Sequence, residues 1–522
     1  MASNNLEKSA TANEPQAVPS SPSDHRAPVP SAQVDVAANY SGWLYKDRRI
    51  GPVKIPHYAS PAVQLTLVAF VCFLCPGMFN AVNGLGGGGQ FDAKTSDNAN
   101  VAVYSTFAAV GFFAGSIANR LGIKLTLSLG GLGYVLYIAS YLSYNHTKNE
   151  AFVIFAGAVL GVCAGMLWAA QGAIMMSYPY EESKGKYISW FWMIFNLGAV
   201  IGGLIPLGEN FHSTAGNVTD GTYIGFLVLT FFGAVLAWTL VDARNVVRSD
   251  GSHVILMKHP SWKSEIWGLF EVLQSDTWIV FLFPMFFSSN WFYTYQFNDV
   301  NGAKFNIRTR ALNSVLYYIS QIIGAYVFGY ALDLKGLRRS TKARVVWVIL
   351  FVMTMAVWGG GYAWQKTYTR AETSPKTYVK DDWTTKGYVG PMFLYMFYGF
   401  YDAAWQTTVY WYMGSMTNNG RKLANFAGFY KGLQSAGAAI CFRIDALKTP
   451  FINIFASCWG LLGGSLLIAA PMIWTKIRDT VPIEEDLRFT DETFEDVKPL
   501  ADADIHAGVT TAPRYIPEKG HP

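Results

Sequence analysis

Asp402 and Lys431 are the residues with the most chemistry to offer, because each sits in a stretch that is otherwise apolar or aromatic. A charge held among apolar helices is costly and persists where it is paired or used. Two readings stand side by side. The two groups form a protonation or ion-coupling site, or they are a buried ion pair that fixes two neighbouring helices. A second set is neutral: Asn80 and Asn83, then Asn290, Tyr293, Tyr295, Gln296 and Asn298. Amides in a dry helix bundle need partners, whether protein, water or a bound solute. Asn80, Asn83, Asn290, Tyr293 and Gln296 are therefore substrate-binding candidates, and Gln171 and Gln406 join them by the same argument, as do Gln321 and Gln434. Interhelical hydrogen bonding is the competing reading at each position.

Other chemistries find no footing. No histidine falls inside an apolar run, so no metal or haem ligand set is expected. The run Gly84-Leu-Gly-Gly-Gly-Gly89 is not followed by Lys-Ser/Thr and follows no strand, so it reads as a flexible hinge and not as a phosphate loop. No nucleophile–base spacing is present. The sequence points away from an enzyme and calls for no cofactor. Dense aromatics, such as Trp190-Phe-Trp192 and Tyr410-Trp-Tyr412, read mainly as packing residues and lipid-interface anchors.

The elements that must position these residues follow from hydropathy. The chain has 522 residues, 51% hydrophobic and only 14% charged, against about 25% charged in a soluble globular chain. Apolar runs of about 20 residues are long enough to cross a bilayer as helices. Twelve such spans are expected: 63–83, 100–118, 123–143, 151–176, 188–207 and 222–241, then 276–297, 312–332, 344–364, 388–413, 425–442 and 452–474. The fold class is all-α, a polytopic membrane protein with two pseudo-symmetric six-helix halves.

The expected domains are a disordered N-terminal tail 1–60, a first half 61–241, an interdomain loop 242–275, a second half 276–474 and an acidic disordered tail 475–522. Lys and Arg gather in alternate connections, which places both termini in the cytoplasm. The loop 365–387, with several lysines, is the exception on the opposite side. Asn145-His-Thr and Asn217-Val-Thr are glycosylation candidates in loops expected to face outside. The expected partners are the lipid bilayer and a small solute whose identity, like the oligomeric state, the sequence leaves open. The net charge of +5 is spread over short inter-helix clusters, so nucleic acid is not among the partners.

One pattern occurs twice. Gly115, Asn119, Arg120, Gly122 and Lys124 follow the second span, and Gly329, Asp333, Gly336 and Arg338 follow the eighth. In each copy a glycine allows close helix contact, an Asn or Asp can meet a neighbouring helix N-terminus, and a second glycine permits a tight turn. The repeat of two halves is a transporter signature, with a site between them near mid-membrane. This pattern resembles the loop motif of the major facilitator superfamily, with Asn119 where that superfamily usually has Asp. The segment Gly161-Val-Cys-Ala-Gly-Met-Leu-Trp168-Ala-Ala-Gln171-Gly172, with the Trp/Phe-rich helix carrying Gly198, Gly202 and Gly203, resembles the Unc-93-like branch. The resemblance implies a transporter fold. It leaves two functions open: a secondary transporter working by alternating access, or a non-transporting accessory or trafficking subunit for channels or receptors.

Overall fold

The computed structural model describes residues 42–479, except 91–92, 112, 180–183, 213–217, 249–266, 269, 272, 275, 333, 335 and 418–419. The expected tails at 1–41 and 480–522 lie outside these residues, as do most of the interdomain loop and Asn217. Residues 42–60, expected as tail, are structured. They hold a short 3-10 turn, Trp43–Tyr45, and an antiparallel hairpin of β1 (Arg48–Ile50) and β2 (Val53–Ile55), in which Arg48 pairs with Ile55.

Helices make up most of the rest. They are α1 (Pro61–Gly84), α2 (Lys94–Gly111, prolonged by Ala114–Leu121), α3 (Ile123–Thr147), α4 (Glu150–Ser177), α5 (Lys184–Glu209) and α6 (Asp220–Thr239). Then come α7 (277–302), α8 (Ile307–Leu332), α9 (Arg339–Gln365), α10 (Val389–Met416), α11 (Gly420–Ala446) and α12 (Phe451–Thr475). Among the described residues, eight helical segments are long and apolar enough to cross a membrane: α1, α3 to α6, α8, α9 and α12. The others, α2, α7, α10 and α11, are of similar length. They are also the segments that carry Asp97, Asn298, Asp402 and Lys431.

Local chemistry sets the helix ends. Ser60 caps α1, accepting from the Val63 N–H at 3.4 Å, and Pro61 starts the helix with its φ already helical. Pro76 then breaks α1 at Cys75, because it has no N–H to continue the ladder. Asn149 caps α4 through the Phe152 N–H at 3.3 Å. Gly122 and Gly336, the second glycines of the repeated pattern, both have positive φ, 77° and 100°, which a side chain would resist.

Two large apolar clusters form, one for each half. The first gathers Leu65, Phe79, Tyr137, Leu167 and Phe226, and the second gathers Phe286, Tyr317, Trp358, Trp405 and Phe455. The halves meet along two helix pairs, α5 with α8 and α2 with α11. A small third cluster, Tyr104 with Ala438, Ala439 and Phe442, lies in the α2–α11 seam.

Candidate functional site

Asp402 is fully buried in α10 between the two seams. Its carboxylate accepts from four neutral donors. Oδ2 receives the Tyr293 hydroxyl at 2.8 Å, the Tyr317 hydroxyl at 3.3 Å and the Gln321 amide, while Oδ1 receives the Gln406 amide at 2.8 Å. Gln406 reaches it because it lies one helical turn along the same face. Three helices, α7, α8 and α10, thus converge on one carboxylate.

Lys431 is not its ion-pair partner. The lysine Nζ donates to Gln434 Oε1 at 3.0 Å, and the Gln434 amide donates to Asn290 Oδ1 at 2.9 Å and to Gln406 Oε1 at 3.5 Å. Two glutamines therefore separate the charges, and the expected direct pair is corrected to a relay of amides. The ammonium lies over aromatic faces instead: 4.8 Å from the Trp168 ring, 5.2 Å from Tyr430 and 5.7 Å from Tyr410. Trp168 comes from α4 of the opposite half, so this cation contact spans the two halves.

Two clefts flank Asp402. One is lined by Trp192 and Asn196 of α5, Gln321 and Ala325 of α8, and Asp402 and Gln406 of α10. Here Trp192 Nε1 and Asn196 Oδ1 are buried without a hydrogen-bond partner, so the first half presents one donor and one acceptor. The second cleft is lined by Asn80, Asn83, Tyr104, Tyr293, Tyr318 and Phe442. Tyr293 links the two: it lines the second cleft, where its ring stacks on Phe297 at 5.1 Å, and its hydroxyl holds Asp402 of the first.

The substrate candidates are thus divided. Asn80, Asn83, Tyr293 and Gln406 face the clefts, and Asn290 joins through Gln434. Gln296 stands one contact back, accepting from the Tyr317 hydroxyl at 2.8 Å. Gln171 lies apart and, among the described residues, donates to Met175 Sδ at 3.4 Å.

A second polar centre, which the sequence did not disclose, closes the seam at the end opposite the start of α1 and the end of α12. Arg310 of α8 is fully buried, and its guanidinium donates to the carbonyls of Leu85, Gly86 and Gln90 in the first half. The glycine run is therefore a folded, buried loop wrapped on an arginine, not a loose hinge. Asn301 donates to Gly84 O at 2.8 Å. Asn298 accepts from the Gly87 N–H at 2.8 Å and donates to Asp97 at 2.6 Å and Asp445 at 3.1 Å. Arg370 bridges Asp445 and Asp299. Burial works against the Arg370 charge, but Asp299 and Asp445 outweigh it and hold its pKa above the ordinary value.

The connection 366–388 covers this end. Asp382 accepts from Arg308, from Asn306 at 3.0 Å and from Thr309 at 3.0 Å, and the Arg308 guanidinium leads in holding its pKa well below the usual carboxylate range. Burial, aided by Arg310, pushes the Lys380 ammonium down to about 7, and its Nζ donates to Gly302 O at 2.5 Å.

Of the repeated turn residues, Arg120 and Arg338 are exposed, and Lys124 reaches Asp242 at 3.9 Å. Gly329 approaches α5, where an added Cβ would meet Ser189 Oγ at 3.0 Å. Asp333 lies outside the described residues, as do the Asn119 side chain and the packing of Gly115. Asn145 is no loop residue. It lies in the last turn of α3 with its amide donating to Asp220 at 2.8 Å and accepting from Gln90 at 2.9 Å, which leaves it poorly placed to carry a glycan.

Known proteins share this architecture. A family model described as "Ion channel regulatory protein UNC-93" matches residues 93–470. An UNC93-like protein of Schizosaccharomyces pombe is 52% identical over 463 residues, 88% of this chain and 92% of that one. UNC93-like protein 1 of Arabidopsis thaliana is 41% identical over 81% of this chain and 92% of its own. Among solved structures, a D-xylose-proton symporter superposes with a TM-score of 0.53 over 80% of this chain and 99% of that one. At 11% identity that likeness is one of fold, the major facilitator fold.

Proposed function

The chain belongs to the UNC-93 family, and from that premise we propose that it is a secondary transporter that moves a small solute by rocking its halves around Asp402. The role is non-enzymatic, with twelve crossings and both termini cytoplasmic. One observation carries the reading. A buried carboxylate between the halves is held by four neutral donors, with no cation among the described residues within ion-pair distance. For packing alone, an apolar residue of similar size would avoid the cost of burying a carboxylate. Neutral donors tolerate both its charged and its protonated form, because hydroxyls can turn to accept. Proton coupling is the matching chemistry, and the unpartnered Trp192 Nε1 and Asn196 Oδ1 would meet the solute.

The family model's description, an ion channel regulatory protein, supports a second reading as an accessory subunit. Reconstitution separates the two. In proteoliposomes screened with radiolabelled solutes, a transporter shows uptake that rises with an imposed pH gradient, and Asp402→Asn abolishes that rise. Uptake that keeps its pH dependence in the variant refutes the coupling role. A complete lack of solute movement, with altered currents of a co-expressed channel, favours the accessory reading.

A further inference from the structure

The sealed end holds more carboxylates than its one bridging guanidinium can match. Asp299 and Asp445 both contact the same Arg370 Nη2, and each side chain is 1% exposed. Fully ionised, the three residues would bury one uncompensated negative charge, a costly arrangement. Asp299 Oδ2, moreover, is buried with no hydrogen-bond partner. Because one nitrogen of Arg370 touches an oxygen of each, the Asp299 and Asp445 carboxyl groups are immediate neighbours. Two carboxylates are both acceptors, so that approach makes a bond only when a proton lies between them.

We propose that Asp299 and Asp445 share one bound proton when this end is closed, forming a protonation site separate from Asp402. The proton brings the Asp299–Asp445–Arg370 trio to zero charge. It lies between the two, one carboxyl donating to the other. Titratable groups face the pair from every element packed on it. Asp97 of α2 reaches it through Asn298, which donates to both Asp97 and Asp445. Cys441 of α11 and Cys458 of α12 face it as thiols, and Tyr295 of α7 and Tyr368 of the connection face it as phenols. Arg370, stacked on the Phe451 ring at 4.2 Å, is the cation that touches both carboxyl groups.

Location gives the site its consequence. Asn298 ties the pair to Asp97 and Gly87 of the first half, so separating the halves here admits water to the pair. Hydrated carboxylates ionise near pH 4. Closing the end thus takes up a proton, and opening it releases one. The inference rests on the rocking motion proposed above, not on any role for Asp402.

The test is a distance measurement across this end in full-length protein in lipid nanodiscs. Spin labels go on Glu150→Cys of the first half and Lys376→Cys of the second, both exposed. Raising the pH from 5 to 9 should lengthen the distance, the closed-to-open ratio falling by up to about tenfold per pH unit, the limit for one proton. Asp299→Asn supplies a permanent amide donor to Asp445, so it should stay closed throughout. Asp445→Asn gives the same result by the reverse geometry if the first variant folds poorly. A flat wild-type profile overturns the proposal, as does an unchanged slope in both variants. A ratio that follows sodium or potassium at fixed pH also overturns it, naming a metal cation as the occupant. Arg310→Ala is the control, since it should open the end at every pH. If it opens the end and pH does not, the proton site fails and rocking stands; if neither moves the distance, rocking fails as well.

Discussion

The two polar centres in the seam are built from different materials. Around Asp402 the partners are hydroxyls and amides, all from the second half. At the sealed end they are guanidiniums, carboxylates and backbone carbonyls, drawn from both halves. Neutral side chains can turn to suit either charge state of a carboxyl group. Fixed charges and carbonyls satisfy one another in a single arrangement, and the cost of parting them is high. The first centre suits a group that gains and loses a ligand. The second suits a latch.

The largest effect expected from this contrast is at Arg310. Arg310→Ala takes the guanidinium from three buried carbonyls, of which Gly86 O keeps the Gly89 N–H, and should cost about 3–5 kcal/mol of stability in the closed state. Thermal unfolding in detergent should show a clear fall. Arg310→Lys should recover only part of it, because an ammonium cannot fork to the same carbonyls. A variant as stable as wild type would erase the distinction between the two centres.

Asp402→Asn should do the reverse. Its stability should stay within about 1 kcal/mol of wild type, since an amide replaces a buried charge of the same shape. Gradient-driven transport should fall at least about tenfold, as expected when a coupling charge is lost. A large loss of stability with transport retained would make Asp402 a structural group like those at the latch.

A smaller effect is expected at Asp382, in the cover over the latch. Its pKa is depressed, so its stabilising contribution is present above the ordinary carboxylate value near 4 and is lost as pH falls through the lower folded value. Hydrogen exchange over 366–388 should be slow at pH 7 and 5 after correction for intrinsic rates, and faster at pH 3. Asp382→Asn should exchange faster at pH 7 already. The smallest effect belongs to Trp168. Trp168→Phe keeps a ring under Lys431 and should change transport by about twofold or less, whereas Trp168→Leu removes a cation–π contact worth about 0.5–2 kcal/mol. Equal behaviour of the two variants would show that shape, not charge, matters there.

Much of this was legible in the sequence, and the omissions share one cause. Apolar runs mark helices, and Asp402 stood out because it interrupts one. Arg310, Asp97, Asp299 and Asp445 fall just beyond the expected spans 312–332, 100–118, 276–297 and 425–442, where a charge looks like ordinary loop polarity. In the fold the helices continue past those limits and bring the four together under the 366–388 cover. Hydropathy measures what faces lipid, and these residues face protein. The glycine run misled for a similar reason. Glycines that are free in the unfolded chain are held in the fold, where Gly86 adopts a positive φ with the Phe297 carbonyl lying where a side chain would begin. Asp402 and Lys431 do not pair directly because Gln434 and Gln406 pack between them, which spacing along two helices cannot convey.

The last turns of α7 form a π-helix, Tyr295–Gly302, and this bears on how chains of this kind are compared with one another. A π-turn holds one residue more than the α-turn it replaces. Removing one residue between Tyr295 and Gly302 would restore the tighter winding and swing the later positions by about 100°. Asn298, Asp299 and Asn301 would then point elsewhere without any of them having changed identity. In an alignment, a one-position gap in this stretch is therefore a rewiring event, and counting matched residues would miss it.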